Sequence, residues 1–233
     1  MKKLLGTLFF GFDKDECPKD TIPIRRTTKE DLIQEKQLRN SSIFTKDVSG
    51  LHVAEIGVSS KFGPYYEVKG RTSIYNPRVS KGQMSLSHVW VQNGGDNKIS
   101  AGWQVSSDLY GDNRTHFYAS WTTDNFHKTG CYNVRCPGFV HTNSYAYLGE
   151  SFQNSSVYGG PIYYFSTSIS QEPVYKDWWL YINNIYIGYF RAKLFSNMNS
   201  AEKVGWGGRT LTPRGSSSPP MGSGHFPDTT RNG

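Results

Sequence analysis

The chain has 233 residues and a formal net charge of +7, with 15% aromatic and only 19% charged residues. Its positive charge is spread along the chain without a basic run or a nucleic-acid-binding motif, so we expect no nucleic-acid partner. No apolar stretch is long enough to span a bilayer, and the 24 glycines favour many strands joined by tight turns.

The N-terminal segment predicts an export signal and one helix. Met1–Phe12 places two lysines before a short apolar stretch, the outline of a very short signal peptide, although no small-residue cleavage site follows it. Pro18 and Pro23 keep the backbone extended. Thr27 and Glu30 then have the spacing of a capping box, which predicts a helix from Thr27 to about residue 39.

The remainder of the chain has the period-two alternation of β-strands. Asn93-Gly94-Gly95-Asp96 and Asn183-Asn184 predict hairpin turns between such strands. The candidate strands cover residues 54–58, 66–74, 84–90, 98–105, 115–121, 139–147, 162–169, 178–182 and 185–190. A single helical turn is expected near 197–203. Closely spaced strands with Gly and Asn turns predict an all-β fold, an antiparallel β-sandwich of two packed sheets.

The three cysteines indicate an oxidising compartment. Cys131 and Cys136 enclose four residues without a second pair or a nearby histidine cluster, so a disulfide is a better interpretation than a zinc site. Cys17 is left over. Three glycosylation sequons, at Asn40, Asn113 and Asn154, also favour a secreted glycoprotein.

One stretch, residues 99–140, carries a series of motifs in a distinctive order. Ser100-Ala101-Gly102-Trp103-Gln104-Val105 is followed by Tyr110-Gly111-Asp112, Trp121-Thr122 and Thr129-Gly130-Cys131-Tyr132-Asn133. This order resembles the neprosin family of plant peptidases, in which a Glu-Ala-Gly-Trp-Gln-Val strand comes first. The segment beginning at Cys17-Pro18 and the tail Met221-Gly222-Ser223-Gly224 resemble the same family, so we expect the tail to lie on the sandwich.

The resemblance implies that residues 1–48 are a truncated activation-peptide remnant and that 49–233 are the peptidase domain. It also implies a concave cleft in which two glutamates act on proline-containing substrates. Two close carboxyls split their pKa values, so that one activates water while the other donates a proton. The family's two glutamate positions are Ser100 and Arg209 in this sequence. The expected cleft neighbours are Gln104, Trp103, Tyr110 and Trp206.

Loss of both carboxyls predicts a catalytically inactive member of the family. Arginine stays protonated and accepts no hydrogen bond, and a serine without a neighbouring base is not activated. The Arg209 guanidinium would instead favour an acidic peptide segment in the cleft. We expect peptide or proline-rich protein segments as partners, a secreted monomer, no membrane association, and no metal or other cofactor.

Two alternatives stay open at this stage. One is an active hydrolase that uses other residues, for which Glu150 and Glu202 are the nearest carboxyls in sequence to the motifs. The six histidines lack metal-binding spacing, and no Gly-x-Ser-x-Gly motif is present. The other alternative is a carbohydrate-binding sandwich, because Trp178-Trp179 places one indole on each face of a strand.

Overall fold

The computed structural model describes residues 18, 21–22, 26–30, 32–33 and 49–226. The strands are β1 (Leu51–Val58), β2 (Glu67–Ser73), β3 (Met84–Asn93), β4 (Asn97–Val105), β5 (His116–Thr122), β6 (Cys131–Tyr132), β7 (Phe139–His141), β8 (Tyr164–Gln171), β9 (Trp178–Ile182), β10 (Ile185–Phe190) and β11 (Lys203–Leu211). A short helix, α1, spans Ser107–Tyr110, and 3-10 turns span Ser60–Phe62 and Ala192–Leu194. None of the described helices has the length and apolar character needed to cross a membrane.

The strands form two antiparallel sheets, which confirms the predicted β-sandwich. One sheet has six strands in the order β1-β11-β3-β4-β5-β6, and the other has five in the order β2-β8-β9-β10-β7. The chain-terminal strands β1 and β11 pair over their full lengths, from Leu51 opposite Leu211 to Val58 opposite Val204. Strand β1 is therefore an edge of the six-stranded sheet, and β11 lies between β1 and β3 and pairs with both.

The core lies between the sheets and follows from the alternation in the sequence. On β4, Ile99, Ala101, Trp103 and Val105 face the five-stranded sheet and are at most 1% exposed. Facing strands contribute Phe165, Ile169, Trp178 and Leu180, all fully buried. Burial of large apolar side chains from two inner faces is what holds such a sandwich together.

A second apolar cluster covers part of the outer face of the six-stranded sheet, the face turned away from the five-stranded sheet. Its buried members are Met84, Leu86, Leu109, Tyr110, Tyr118, Phe126 and Tyr132. Leu109 and Tyr110 come from α1, which the sequence pattern did not predict. On β4, Ser100 and Gln104 lie on this outer face, between their partners on β3 and β5.

The N-terminal and C-terminal predictions have different outcomes. Residues 29–30 and 32–33 are helical, and the rest of the predicted helix lies outside the described residues, as do Met1–Phe12 and Cys17. The tail lies on the sandwich as expected: Ser85 Oγ donates to the Pro220 carbonyl, and Gln83 Nε2 to that of Ser217. The turn expected at 197–203 is wrong, because Lys203 already begins β11 and the 3-10 turn is at Ala192–Leu194.

Candidate active site

Ser100 and Arg209 lie on the same outer face but in different rows of the sheet. Ser100 is level with Trp90 on β3, whereas Arg209 is level with Leu86, which is paired with Gln104 on β4. The two positions are thus four residues apart along the strands, roughly 14 Å, with β3 between them, so the structure does not place their side chains next to each other. Both side chains are buried, each residue being 2% exposed.

The Arg209 guanidinium is held by Glu55 of β1, a residue that sequence reasoning did not single out. Its Nε donates to Glu55 Oε1, and its Nη2 donates to Oε2 at 3.0 Å. The Glu55 side chain is 8% exposed and that of Arg209 is 2% exposed. This two-point contact is the strong form of arginine–carboxylate pairing, and it takes both oxygens of the carboxylate.

Glu55 also starts a chain of hydrogen bonds that extends across five strands, from β1 to β5. His88 Nε2 lies 2.8 Å from Glu55 Oε1, and His88 Nδ1 lies 2.7 Å from the Tyr118 hydroxyl. These three residues occupy one row of the sheet, and the two intervening positions of that row are Gly207 and Gly102. We call this row together with Arg209 the Glu55–His88 network.

The two glycines make the network possible. A Cβ on Gly207 would lie 2.9 Å from the Glu55 Cγ, so the absence of a side chain lets Glu55 reach over β11 to His88. Gly207 also has φ of +153°, a conformation that favours glycine. At Gly102 a Cβ would lie 2.0 Å from the Ser87 carbonyl oxygen. His88 therefore spans β4 to contact Tyr118 without any side chain in between.

The charges of the network follow from burial and pairing. Burial raises the pKa of the Glu55 carboxyl, but hydrogen bonds from His88 and Arg209 outweigh it and hold this pKa well below its usual range. Burial lowers the pKa of His88 to about 4, against the opposing effect of Glu55. His88 is therefore neutral near pH 7. Its Nε2 carries the proton toward Glu55, and Nδ1 accepts from Tyr118, whose pKa is raised well above normal by burial.

Ser100 sits in an unreactive setting. Its hydroxyl is 3.0 Å from the Ser120 hydroxyl, and within the described part of the chain neither serine has a carboxylate or imidazole as a hydrogen-bond partner. The Trp90 indole covers the adjacent strands, since a Cβ on Gly205 would lie 2.4 Å from its Cζ2. A hydroxyl without a proton acceptor is a poor nucleophile.

The predicted cleft residues divide between the two faces. Gln104 and Tyr110 lie together, with the Tyr110 hydroxyl donating to Gln104 Oε1 at 3.1 Å. Trp103 is not in the cleft, because it lies on the inner face of β4 with the core residues. It is 1% exposed and donates its indole N–H to the Ser73 carbonyl. Trp206 is also on the wrong face, because it is an odd number of residues from Arg209. It borders an inter-sheet cavity of about 280 Å³.

The other candidate residues do not contact the Glu55–His88 network or lie outside the described residues. Cys131 and Cys136 form the predicted disulfide, with Cα atoms 6.1 Å apart. Asn113 and Asn154 are exposed, and Asn40 lies outside the described residues. Glu150 is buried and its pKa is raised to about 8 by burial, while Glu202 pairs with Lys203. Neither carboxyl contacts the network, and the described residues contain no cluster of three or more metal-binding side chains.

Residues 81–233 match the family model described as Neprosin. The chain is similar to CG-16, a homodimeric agglutinin from chicken liver (11% identity over 69% of this chain and 97% of that one, TM-score 0.37). It is also similar to a family 16 endo-glucanase from Bacteroides ovatus (14%, 68% and 60%, TM-score 0.41). A third similarity is to Scytalido-glutamic peptidase with a peptide-based transition-state analogue (9%, 74% and 72%, TM-score 0.38).

Proposed function

Because the chain belongs to the neprosin family, we propose that it is a member that keeps the β-sandwich and has lost glutamic peptidase activity. The family resemblance implies a mechanism with two carboxyl groups, one ionised to activate water and one protonated to donate to the leaving group. Each group of this kind contributes about 10²–10⁴ to the rate. Neither Ser100 nor Arg209 supplies a carboxyl.

The single observation that carries the proposal is the pairing of Arg209 with Glu55. The guanidinium fills the family's second glutamate position, is permanently charged, and is tied at two points to a neighbouring carboxylate. A catalytic base needs access to water, but the Glu55 side chain is only 8% exposed and both of its oxygens already accept hydrogen bonds. The Arg209 position therefore offers no site for a general acid or base.

Glu55 itself is a poor substitute for the missing glutamates. Its pKa is held well below the usual range, so it is a weak base, and it stays ionised where a general acid must be protonated. Its described hydrogen-bond and ion-pair partners are His88 and Arg209, and no second carboxyl is among them. Glu55 therefore has no second carboxyl among its described partners with which to form a pair of separated pKa values.

The pairing also changes the expected role of Arg209 in ligand binding. The hypothesis that its guanidinium captures an acidic peptide segment is not supported, because Glu55 already neutralises it inside the protein. We propose instead that any retained binding of proline-containing segments depends on shape rather than on this charge. A secreted, glycosylated monomer with an activation-peptide remnant at 1–48 and a peptidase-like domain at 49–233 remains part of the proposal.

Restoring the missing carboxyls tests the loss of activity. Arg209→Glu alone would place a second carboxylate against Glu55, so the restoring variant combines Ser100→Glu, Arg209→Glu and Glu55→Leu. The matched control is Ser100→Gln, Arg209→Gln and Glu55→Leu. We expect no cleavage of a proline-containing fluorogenic peptide at acidic pH by the native chain or the control, whereas cleavage by the restoring variant would show that carboxyls at positions 100 and 209 can act together across the offset of roughly 14 Å. Turnover by the native chain above that of the heat-inactivated protein would contradict the proposal.

A further inference from the structure

An aromatic block lies on the outer face of the five-stranded sheet, on the opposite side of the molecule from the Glu55–His88 network. Trp179 and Tyr181 on β9 alternate with the core residues Trp178 and Leu180, so their side chains point away from the core. Tyr186 and Tyr189 on β10 pair with Tyr181 and Trp179, respectively. We call these four residues the aromatic platform.

The four rings of the platform contact one another. The Trp179 ring centroid is 4.7 Å from that of Tyr189 and 5.4 Å from that of Tyr186, and Tyr181 lies 4.8 Å from Tyr186. Tyr186 is 56% exposed, and the other three are partly exposed. Because the rings pack against one another, their positions are fixed before a ligand binds. A ligand therefore does not have to immobilise four separate side chains.

The surroundings of the platform are polar and hydroxyl-rich. On β8, the next strand of the sheet, Ser170 is level with Trp179 and Ser168 is level with Tyr181. Beyond them, Lys69 of β2 donates to the side-chain oxygen of Asn184 at 2.9 Å. No charged side chain belongs to the four-ring block itself. The surface thus combines apolar ring faces with hydroxyl and amide groups along one border.

From this arrangement we infer that the aromatic platform is a binding site for a neutral, β-linked glucan chain. The flat faces of pyranose rings carry C–H groups that pack on aromatic rings, while their hydroxyls need hydrogen-bonding partners at the edge. The ring planes of the platform are inclined to one another, by 35° for Trp179–Tyr189, 45° for Tyr181–Tyr186 and 84° for Trp179–Tyr186. A β-linked chain is an extended ribbon, and its successive sugar rings can pack on inclined rings spread over two adjacent strands. Lys69 and Glu67 both border the platform, so it offers an acidic polysaccharide no net positive charge.

Other occupants match the platform less well. Proline-rich peptides are recognised in grooves lined by aromatic residues, whereas these rings lie side by side on one sheet face. The four rings expose roughly 300 Å², given 150–250 Å² for each aromatic side chain and partial burial. A stable protein partner needs about 800 Å² on each side. A single polysaccharide chain needs far less area.

The test is affinity electrophoresis of the full chain in gels containing soluble mixed-linkage β-glucan. The variants are Tyr186→Ala and Trp179→Ala, and the matched control is Tyr175→Ala, a tyrosine that is 77% exposed in the loop before β9. We expect β-glucan to retard the native chain. The two platform variants should weaken binding about tenfold, and the control should bind like the native chain.

Three results would overturn the inference: no retardation by β-glucan, equal loss of binding in the Tyr175→Ala control, or retardation by an α-linked glucan or polyproline in place of β-glucan. Because Tyr186 is exposed, Tyr186→Ala is expected to fold, so its result counts even if Trp179→Ala is unstable. The outcome does not depend on whether the chain is a peptidase, since the platform and the Glu55–His88 network lie on different sheets.

Discussion

Replacing Glu55 by Gln should destabilise the protein severely, although the side chain keeps its shape. In the native chain the carboxylate neutralises the Arg209 guanidinium, which is 2% exposed, and accepts the His88 N–H. The amide of Gln accepts on one atom only, so it leaves a permanent cation buried without a counter-ion. Removing one partner of a buried ion pair typically costs about 3–5 kcal/mol.

Urea unfolding followed by tryptophan fluorescence measures this cost. With a slope of about 2 kcal/mol/M, a loss of about 4 kcal/mol shifts the midpoint by about 2 M. The matched control is Glu202→Gln, which breaks the Glu202–Lys203 pair between exposed side chains at 3.5 Å. That pair should contribute less than about 1 kcal/mol. Combining Glu55→Leu with Arg209→Met removes both charges and should recover most of the loss.

The reasoning is refuted if Glu55→Gln shifts the midpoint no more than Glu202→Gln does. It is also refuted if Glu55→Leu with Arg209→Met is less stable than Glu55→Gln. Either result would mean that the Arg209 charge is not confined to a dry interior.

Three further changes have definite expected outcomes. His88 has a folded pKa of about 4 against an ordinary value of 6.5, so stability should be full above about pH 6.5 and fall by about 2–3 kcal/mol by about pH 4.5. The difference between the urea midpoints at the two pH values should be smaller in His88→Gln, with a remainder from His116 and His141, whose pKa values burial also lowers. Gly102→Ala places a Cβ 2.0 Å from a β3 carbonyl oxygen and should lower the melting temperature by several degrees, at a cost of about 1–3 kcal/mol or more, whereas Gly95→Ala, with no atom within 4 Å, should not. Replacing Cys131 and Cys136 by Ser opens a loop with a sequence separation of 5 and should cost about 2 kcal/mol in chemical unfolding.

The strands and the disulfide were predictable because they follow from local pattern. Period-two alternation located β4 and predicted that Ser100 and Gln104 share a face, which the register of β3, β4 and β5 confirms. The short spacing of Cys131 and Cys136 was sufficient to predict their bond. In each case the information lies within a few residues of the feature.

The partner of Arg209 was not predictable in this way. Glu55 is 154 residues away in sequence and reaches Arg209 only because β1 pairs with β11 at the edge of the sheet. Alternation gives the face of a residue within its own strand but not which strand will be its neighbour. Trp206 is a different case, because alternation within β11 alone places it on the face opposite Arg209.

The most direct test of the account is a cleavage assay on the native chain itself. The full chain, before and after acid incubation that would release an activation peptide, is mixed with a proline-rich protein over a range of acidic pH, and the products are identified by mass spectrometry. The account predicts no cleavage above that of the heat-inactivated protein. Cleavage after proline that is abolished by Glu55→Gln in a folded variant would contradict it.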